Sequence, residues 1–330
     1  MATYKGIQGF AIQNLSSDPT TFITGQVWYN STSDVFKVTT GTSEAAASWA
    51  TGGNLSTTIY NMGSAGTQTA GLAFAGSSSY PGNTAIATTQ EYNGSSWTGG
   101  GAMGTARYAL GGCGLQTAAL GAGGYTSTAL TAAVEEYNGT SWSAETALPA
   151  ATYNLGQVGT TTAALIFGGS PPANQTSTQH YNGTSWTAGG TITARRQFGS
   201  AGLETAALAF GGIAPTGPSS VATEEYDGSS WTAGGNLNTG KDRNRGVGLQ
   251  TAAVDFGGID ISLPSSNVTQ LYDGTSWSTS TNMLTGSRLP GGAGTQTSAL
   301  AFGGITSPGI TAISQEFTGA VVAIETITTT

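Results

Sequence analysis

The sequence predicts an all-β fold: a six-bladed β-propeller with four-stranded blades. Three observations lead there. One apolar strand recurs six times: GTQTAGLAFAG (Gly66–Gly76), GLQTAALGAGG (Gly114–Gly124), GTTTAALIFGG (Gly159–Gly169), GLETAALAFGG (Gly202–Gly212), GLQTAAVDFGG (Gly248–Gly258) and GTQTSALAFGG (Gly294–Gly304). The copies start 48, 45, 43, 46 and 46 residues apart, a period that fits several strands per unit and marks blades or turns of an array. After five of the copies a variable gap leads to Tyr-Asn/Asp-Gly-Ser/Thr-Ser-Trp.

The elements of one blade follow in order from the fifth copy. Arg245–Gly248 reads as a short first strand, and Gly248 to Thr251 as a tight turn. Ala252–Phe256 is the second strand, ended by Gly257-Gly258. Val268–Tyr272 is the third strand and Trp277 lies on the fourth. Asp273-Gly274 between them predicts a two-residue type I′ hairpin, because that turn needs positive φ at both central positions. In the sixth copy this element decays to QEFTGA (Gln315–Ala320) and has no Trp. The missing residue is supplied from the other end, since Trp49 is followed by ATGGNL, nearly the TAGGNL that follows Trp231. A strand at Trp49 therefore closes the ring. The expected divisions are an N-terminal attachment segment with a β-hairpin (1–48), the propeller (49–320) and a C-terminal tail (321–330).

Composition bounds the rest. A chain of 330 residues suggests two domains on length alone, but repeats that bury their faces only against neighbours override that prior. Glycine supplies 52 residues and only 8% of the chain is charged, a balance opposed to disorder. The net charge of −8 disfavours non-specific binding to nucleic acid or anionic membrane. Cys113 is the single cysteine and His180 the single histidine, so no disulfide framework or cysteine metal cage is expected. No signal peptide or membrane-spanning segment is read from the sequence.

Gly-Gly after an apolar strand, then Tyr-Asp/Asn, then Trp, with Arg before the first strand, resembles the kelch repeat. The resemblance covers roughly Trp49 to Phe317 and implies a propeller of four-stranded blades. Ala75 for the first Gly in the first copy and Ala122 for the Phe in the second depart from it. Kelch-type copper oxidases need two His ligands and a Cys-linked Tyr, which one His and one Cys cannot supply. Six-bladed sialidases resemble the chain weakly, because their turn motif separates the Asp and Gly that are adjacent here. The stretch Gly25–Val38 looks like a hairpin of bacteriophage tail-fibre proteins, and the Thr-rich end AIETITTT is similar to virion proteins of marine phages.

The chemistry-bearing residues are mostly repeated, which favours structure over a unique catalytic centre. Glu135/Glu136 and Glu224/Glu225 are paired carboxylates, but they sit in recurring third strands. His180 occupies the place of Glu136 and Glu225, Cys113 reads as a small buried residue, and Asn93, Asn138 and Asn182 are hairpin-turn residues rather than glycosylation sites. The arginines differ. Arg107, Arg195, Arg196, Arg243, Arg245 and Arg288 all lie just before a first strand, as does Lys241. That connector shares a face with the variable loops between second and third strands, such as SPPANQTST and IAPTGPSSVAT, and loop variation marks a binding face. These six arginines are the candidate binding face, a positive mouth on an acidic protein. No catalytic residue, cofactor or metal is expected. The expected function is that of a non-enzymatic phage virion component that docks to other virion proteins through residues 1–40 and contacts a host glycan or receptor. The alternatives are a glycan-degrading hydrolase or lyase and a kelch-type adaptor.

Overall fold

The computed structural model describes residues 12–19, 26–170, 173–215, 217, 219–260, 262–307 and 309–327, with the side chains of 40–45 and 321–327 left out. Among the described residues every regular element is a strand. The chain divides into two units, one of residues 1–47 and 319–330, the other of residues 48–318.

In the second unit each sequence repeat becomes one four-stranded antiparallel sheet. Repeat 1 pairs Gly63–Gly66, Gly71–Phe74, Thr89–Tyr92 and Trp97–Gly100 in chain order. Repeats 2 to 5 follow the same order, starting at Gly111–Leu115, Gly156–Gly159, Gly199–Leu203 and Arg245–Leu249. Repeat 6 consists of Gly291–Thr295, Ser298–Phe302 and Ser314–Thr318, and its fourth strand is Ser48–Thr51, with Trp49 opposite Phe317. An arrangement of repeated four-stranded antiparallel sheets is consistent with a β-propeller.

The recurrent residues are those that fasten one sheet to the next. First strands begin with Gly because a Cβ at Gly63, Gly199 or Gly291 would stand 2.2 Å from the ring of Phe74, Phe210 or Phe302 on the second strand. The Gly-Gly pair bends the chain with positive φ at both residues in repeats 2 to 6. The second residue of each bend then donates to a carbonyl in the next repeat: Gly76 to Arg107, Gly124 to Thr152, Gly169 to Arg195, Gly212 to Lys241, Gly258 to Ser287 and Gly304 back to Ile59. A second cycle runs through the connectors. Ala109 N–H donates to Asn61 O (2.8 Å), Asn154 to Ala109 (2.8 Å), Gln197 to Asn154 (3.1 Å), Arg243 to Gln197 (2.7 Å), Leu289 to Arg243 (2.8 Å) and Asn61 to Leu289 (3.1 Å). All six residues have φ between 54° and 57°, the left-handed region that non-glycine residues seldom occupy.

Side chains repeat the pattern. Trp indoles donate to a Thr or Ser at the start of the preceding sheet's third strand: Trp49 to Thr269, Trp97 to Ser314, Trp142 to Thr89, Trp231 to Thr178 and Trp277 to Thr223. In repeat 2 that position is Val134, and Trp186 turns instead to Thr146 O. Tyr hydroxyls donate to the preceding Glu, Tyr92 to Glu316, Tyr137 to Glu91 and Tyr272 to Glu225. Where the hydroxyl is absent, at Phe317, the equivalent partner position holds Leu271.

One turn differs from the expectation. Tyr272 pairs with Trp277, so the connection is a four-residue loop, Asp273 to Ser276, and only Gly274 in it has positive φ. The Asp273 carboxylate accepts from the Thr275 and Ser276 amides (2.9 and 2.7 Å), which fixes the loop without a type I′ turn.

In the first unit Val27–Asn30 and Val35–Ala45 form an antiparallel hairpin, Gln13–Leu15 adds to one edge and Val321–Ile327 to the other. The expected tail is thus a strand as far as Ile327. Asp18 accepts from Trp28, Asn30 and Lys37, whose ammonium and amide donors hold its carboxyl below the usual range. Of the expected docking segment 1–40, residues 1–11 and 20–25 lie outside the described residues.

Candidate functional site

The connectors that carry the second hydrogen-bonded cycle also line a cavity of about 590 Å³. Three residues before each first strand stand, in chain order, Tyr60, Tyr108, Tyr153, Arg196, Asp242 and Arg288. Five of these line the cavity, together with Arg243 and the loop residue Tyr80. The aromatic residues come from repeats 1 to 3 and the cationic ones from repeats 4 to 6. The mouth is therefore divided into an aromatic arc and a cationic arc.

The aromatic arc is braced by its own contacts. Tyr60 is buried, its ring stands edge-on to Tyr80 (5.9 Å), and its hydroxyl donates to Ser79 O (3.1 Å) and meets Asn83. Tyr125 stands between Tyr108 (5.6 Å) and Tyr153 (6.1 Å). Burial raises the pKa of Tyr60 and Tyr108, so both hydroxyls stay protonated donors.

In the cationic arc Arg243 is paired with Asp242 (2.6 Å). Arg196 donates to Asn174 Oδ1 (2.6 Å); Arg288 donates to Pro264 O and the Tyr80 hydroxyl (both 3.1 Å) and lies over the Tyr80 ring. Among the described residues neither Arg196 nor Arg288 has a carboxylate within salt-bridge distance. The described lining holds no His, Cys, Asp or Glu.

The six arginines expected on one face therefore separate. Arg196, Arg243 and Arg288 reach the mouth. Arg107 and Arg195 turn inward, where Arg107 meets Glu135 (3.3 Å) and donates to Ala133 O and Gly121 O, and Arg195 meets Glu224 and donates to Ala222 O. Both are buried, at 0% and 4% exposure. Burial lowers the Arg107 pKa to about 10, with Glu135 opposing the shift. Lys241 is buried likewise against Asp255 (2.9 Å) and Val268 O (2.5 Å). Arg245 instead reaches across to Ser64 of repeat 1 and lines a smaller cavity bordered by the first strands. A signal for the inward pair stood in the sequence: repeats 2 and 4 alone read Glu-Glu-Tyr, and they alone carry Arg four residues before the first strand.

The remaining candidates are engaged in contacts within and between the sheets. His180 contacts Glu204 and the Tyr226 hydroxyl (2.7 Å), filling the place that Glu takes in other sheets. Cys113 is buried, which pushes its thiol up to about 12 and leaves it unreactive. Glu225 receives Tyr272, and Asn93, Asn138 and Asn182 cap their own loops. The loop residues Pro171 and Pro172 lie outside the described residues. In comparison with known proteins, no family model matches the chain and no curated protein matches it significantly. The kelch likeness thus rests on the repeated motif itself.

Proposed function

We propose that residues 48–318 form a six-bladed, kelch-like propeller that binds without catalysis, as part of a phage virion, and that its mouth holds an acidic glycan of the host surface. The hydrogen-bonded cycles that return from repeat 6 to repeat 1 support the blade count. The virion assignment rests on the hairpin and the Thr-rich end, and the N-terminal unit would dock to a neighbouring virion protein. The observation that carries the binding reading is the pair Arg196 and Arg288, which share the cavity with tyrosines and have no carboxylate within salt-bridge distance among the described residues. Guanidinium groups recognise carboxylates by paired hydrogen bonds, and tyrosine faces cover the apolar side of a sugar ring.

The lining also favours binding over hydrolysis or elimination. A hydrolase of the usual kind needs two carboxylates, and a tyrosine base needs its pKa moved toward neutrality, whereas burial moves Tyr60 and Tyr108 upward. Calorimetry with polygalacturonate and with neutral dextran tests the reading. The expected result is salt-sensitive binding to the acidic polymer, weakened about ten- to a hundredfold by Arg196→Gln or Arg288→Gln, since a charged hydrogen bond contributes ~1.5–3 kcal/mol. Equal binding of both polymers removes the acidic-glycan assignment, and release of new reducing ends or unsaturated products establishes the enzyme instead. Mass spectrometry of purified particles tests the location: the chain should be present at a fixed copy number.

A further inference from the structure

Five of the six repeats start their first strand with Gly: Gly63, Gly111, Gly156, Gly199 and Gly291. The sixth residue of that series is Arg245. Its side chain runs across Gly292, where a Cβ would stand 2.8 Å from Arg245 Cγ, and hydrogen-bonds Ser64 in repeat 1. It thus passes the first strand of repeat 6 to reach repeat 1. There it borders a cavity of about 110 Å³ lined by Ser64, Gln157, Ser200, Arg245 and glycine backbone of the first strands.

The charge there is unbalanced. Among the described residues no carboxylate lies within salt-bridge distance of Arg245, and Ser64 is its one hydrogen-bond acceptor, although a guanidinium has five donors. Asp255, the buried acid of the same repeat, is already bound by Lys241 (2.9 Å), Asn244 (2.7 Å) and Gln270 (3.2 Å). Protein surrounds Arg245 closely and lowers its pKa to about 10, while part of its surface still touches the channel. It therefore carries its charge at neutral pH, half-buried and with donors left over for a ligand in the channel.

We propose that the axial channel is an anion site, in which Arg245 and the Ser64 hydroxyl hold a small inorganic oxyanion of the phosphate or sulfate class. The first strands are sheet edges, each paired on one side only, and edge amides add donors of the kind that anion sites use. Between this cavity and the mouth lies a space of about 40 Å³ lined by the connector residues of the hydrogen-bonded cycle. At the end away from the connectors the cavity is bordered by Gly66, Gly114, Gly159, Gly202, Gly248 and Gly294.

The site is separate from the mouth, so its test does not depend on the glycan reading. Thermal unfolding of the full chain is followed at fixed ionic strength while chloride is replaced by phosphate or sulfate. The expected result is a saturable onset followed by a rise of roughly 2–4 °C per tenfold excess over the dissociation constant, absent in Arg245→Met and retained in Arg288→Met. If Arg245→Met does not fold, phosphorus NMR of phosphate with the wild type and with Ser64→Ala replaces it: broadening that weakens in Ser64→Ala supports the site. Anion stabilisation that is absent, or equal in Arg245→Met and wild type, overturns the proposal, as does phosphate broadening that is absent or unaffected by Ser64→Ala.

Discussion

At the scale of single residues, the Gly-Gly bend shows why a motif repeats. Its first residue needs positive φ, and its second donates the amide that holds the next repeat. A Cβ at Gly303 would stand 2.6 Å from Ile59 O, a backbone atom that cannot swing aside. Left-handed φ alone costs a side chain about 1–2 kcal/mol, and the collision adds to it. Gly303→Ala should therefore lose more than 2 kcal/mol in urea unfolding, and a smaller loss would show that the bend relaxes. Ala75 already occupies this position in repeat 1 with φ 57°. Ala75→Gly should be near neutral, because relief of that strain is offset by loss of a buried methyl worth ~0.8 kcal/mol. The Tyr–Glu contacts offer a second test at this scale. Leu271 stands where Glu225 stands in repeat 4, and Phe317 where Tyr272 does in repeat 5. Leu271→Glu should destabilise by placing an unpaired carboxylate against Phe317, and adding Phe317→Tyr should recover about 1 kcal/mol in a double-mutant cycle.

At the scale of elements, the third strands carry a pH dependence. Burial and hydrogen bonds to Glu316 and Glu91 push Tyr92 and Tyr137 up to about 12, and Tyr272 is raised by burial and Glu225. A raised tyrosine pKa means the folded state holds the proton more tightly than the unfolded chain. The resulting stability is complete below pH ~10, the unfolded value. It declines as pH rises from 10 toward 12. The denaturation midpoint should fall over that range, and Tyr92→Phe should flatten the decline without abolishing it; an unchanged slope would show that these hydroxyls ionise freely. Strands were the most legible elements in the sequence, because signature residues such as Trp and Tyr bond a fixed partner position in the neighbouring repeat and so must recur with it. Turn geometry was less legible. Asn/Asp-Gly is compatible with a two-residue turn, and only the pairing of Tyr272 with Trp277 reveals that the Asp273 side chain builds a longer loop. Least legible was the fate of the arginines, since Arg195 and Arg196 are chain neighbours with opposite directions, one buried against Glu224 and one open to the mouth.

At the scale of the whole repeat unit, the sheet of repeat 6 is completed by a strand contributed from outside the repeats. Trp49 is 5% exposed, packs against Phe317 (5.2 Å) and Phe256 (5.5 Å), and donates its indole N–H to Thr269 (3.0 Å). One side chain therefore joins the third strand of repeat 6 to the core of repeat 5. In an open array, losing a terminal strand would fray one end, because each repeat contacts only its neighbours. In a closed cycle the same loss exposes both flanks of repeat 6 and breaks a contact that every repeat depends on. Truncating a buried aromatic of this kind costs about 3–5 kcal/mol, so Trp49→Ala in the full chain should lower the melting transition of all six sheets together. A chain beginning at Gly52 should lose more, since the four backbone-paired residues Ser48–Thr51 go with it. Hydrogen exchange separates the two cases: protection should fall in the first strands of repeats 1 to 5 as well as in repeat 6. Loss confined to Ser314–Thr318 and its neighbours, with the other repeats melting as before, would mean that the sheets form an open stack and that Trp49 merely caps it.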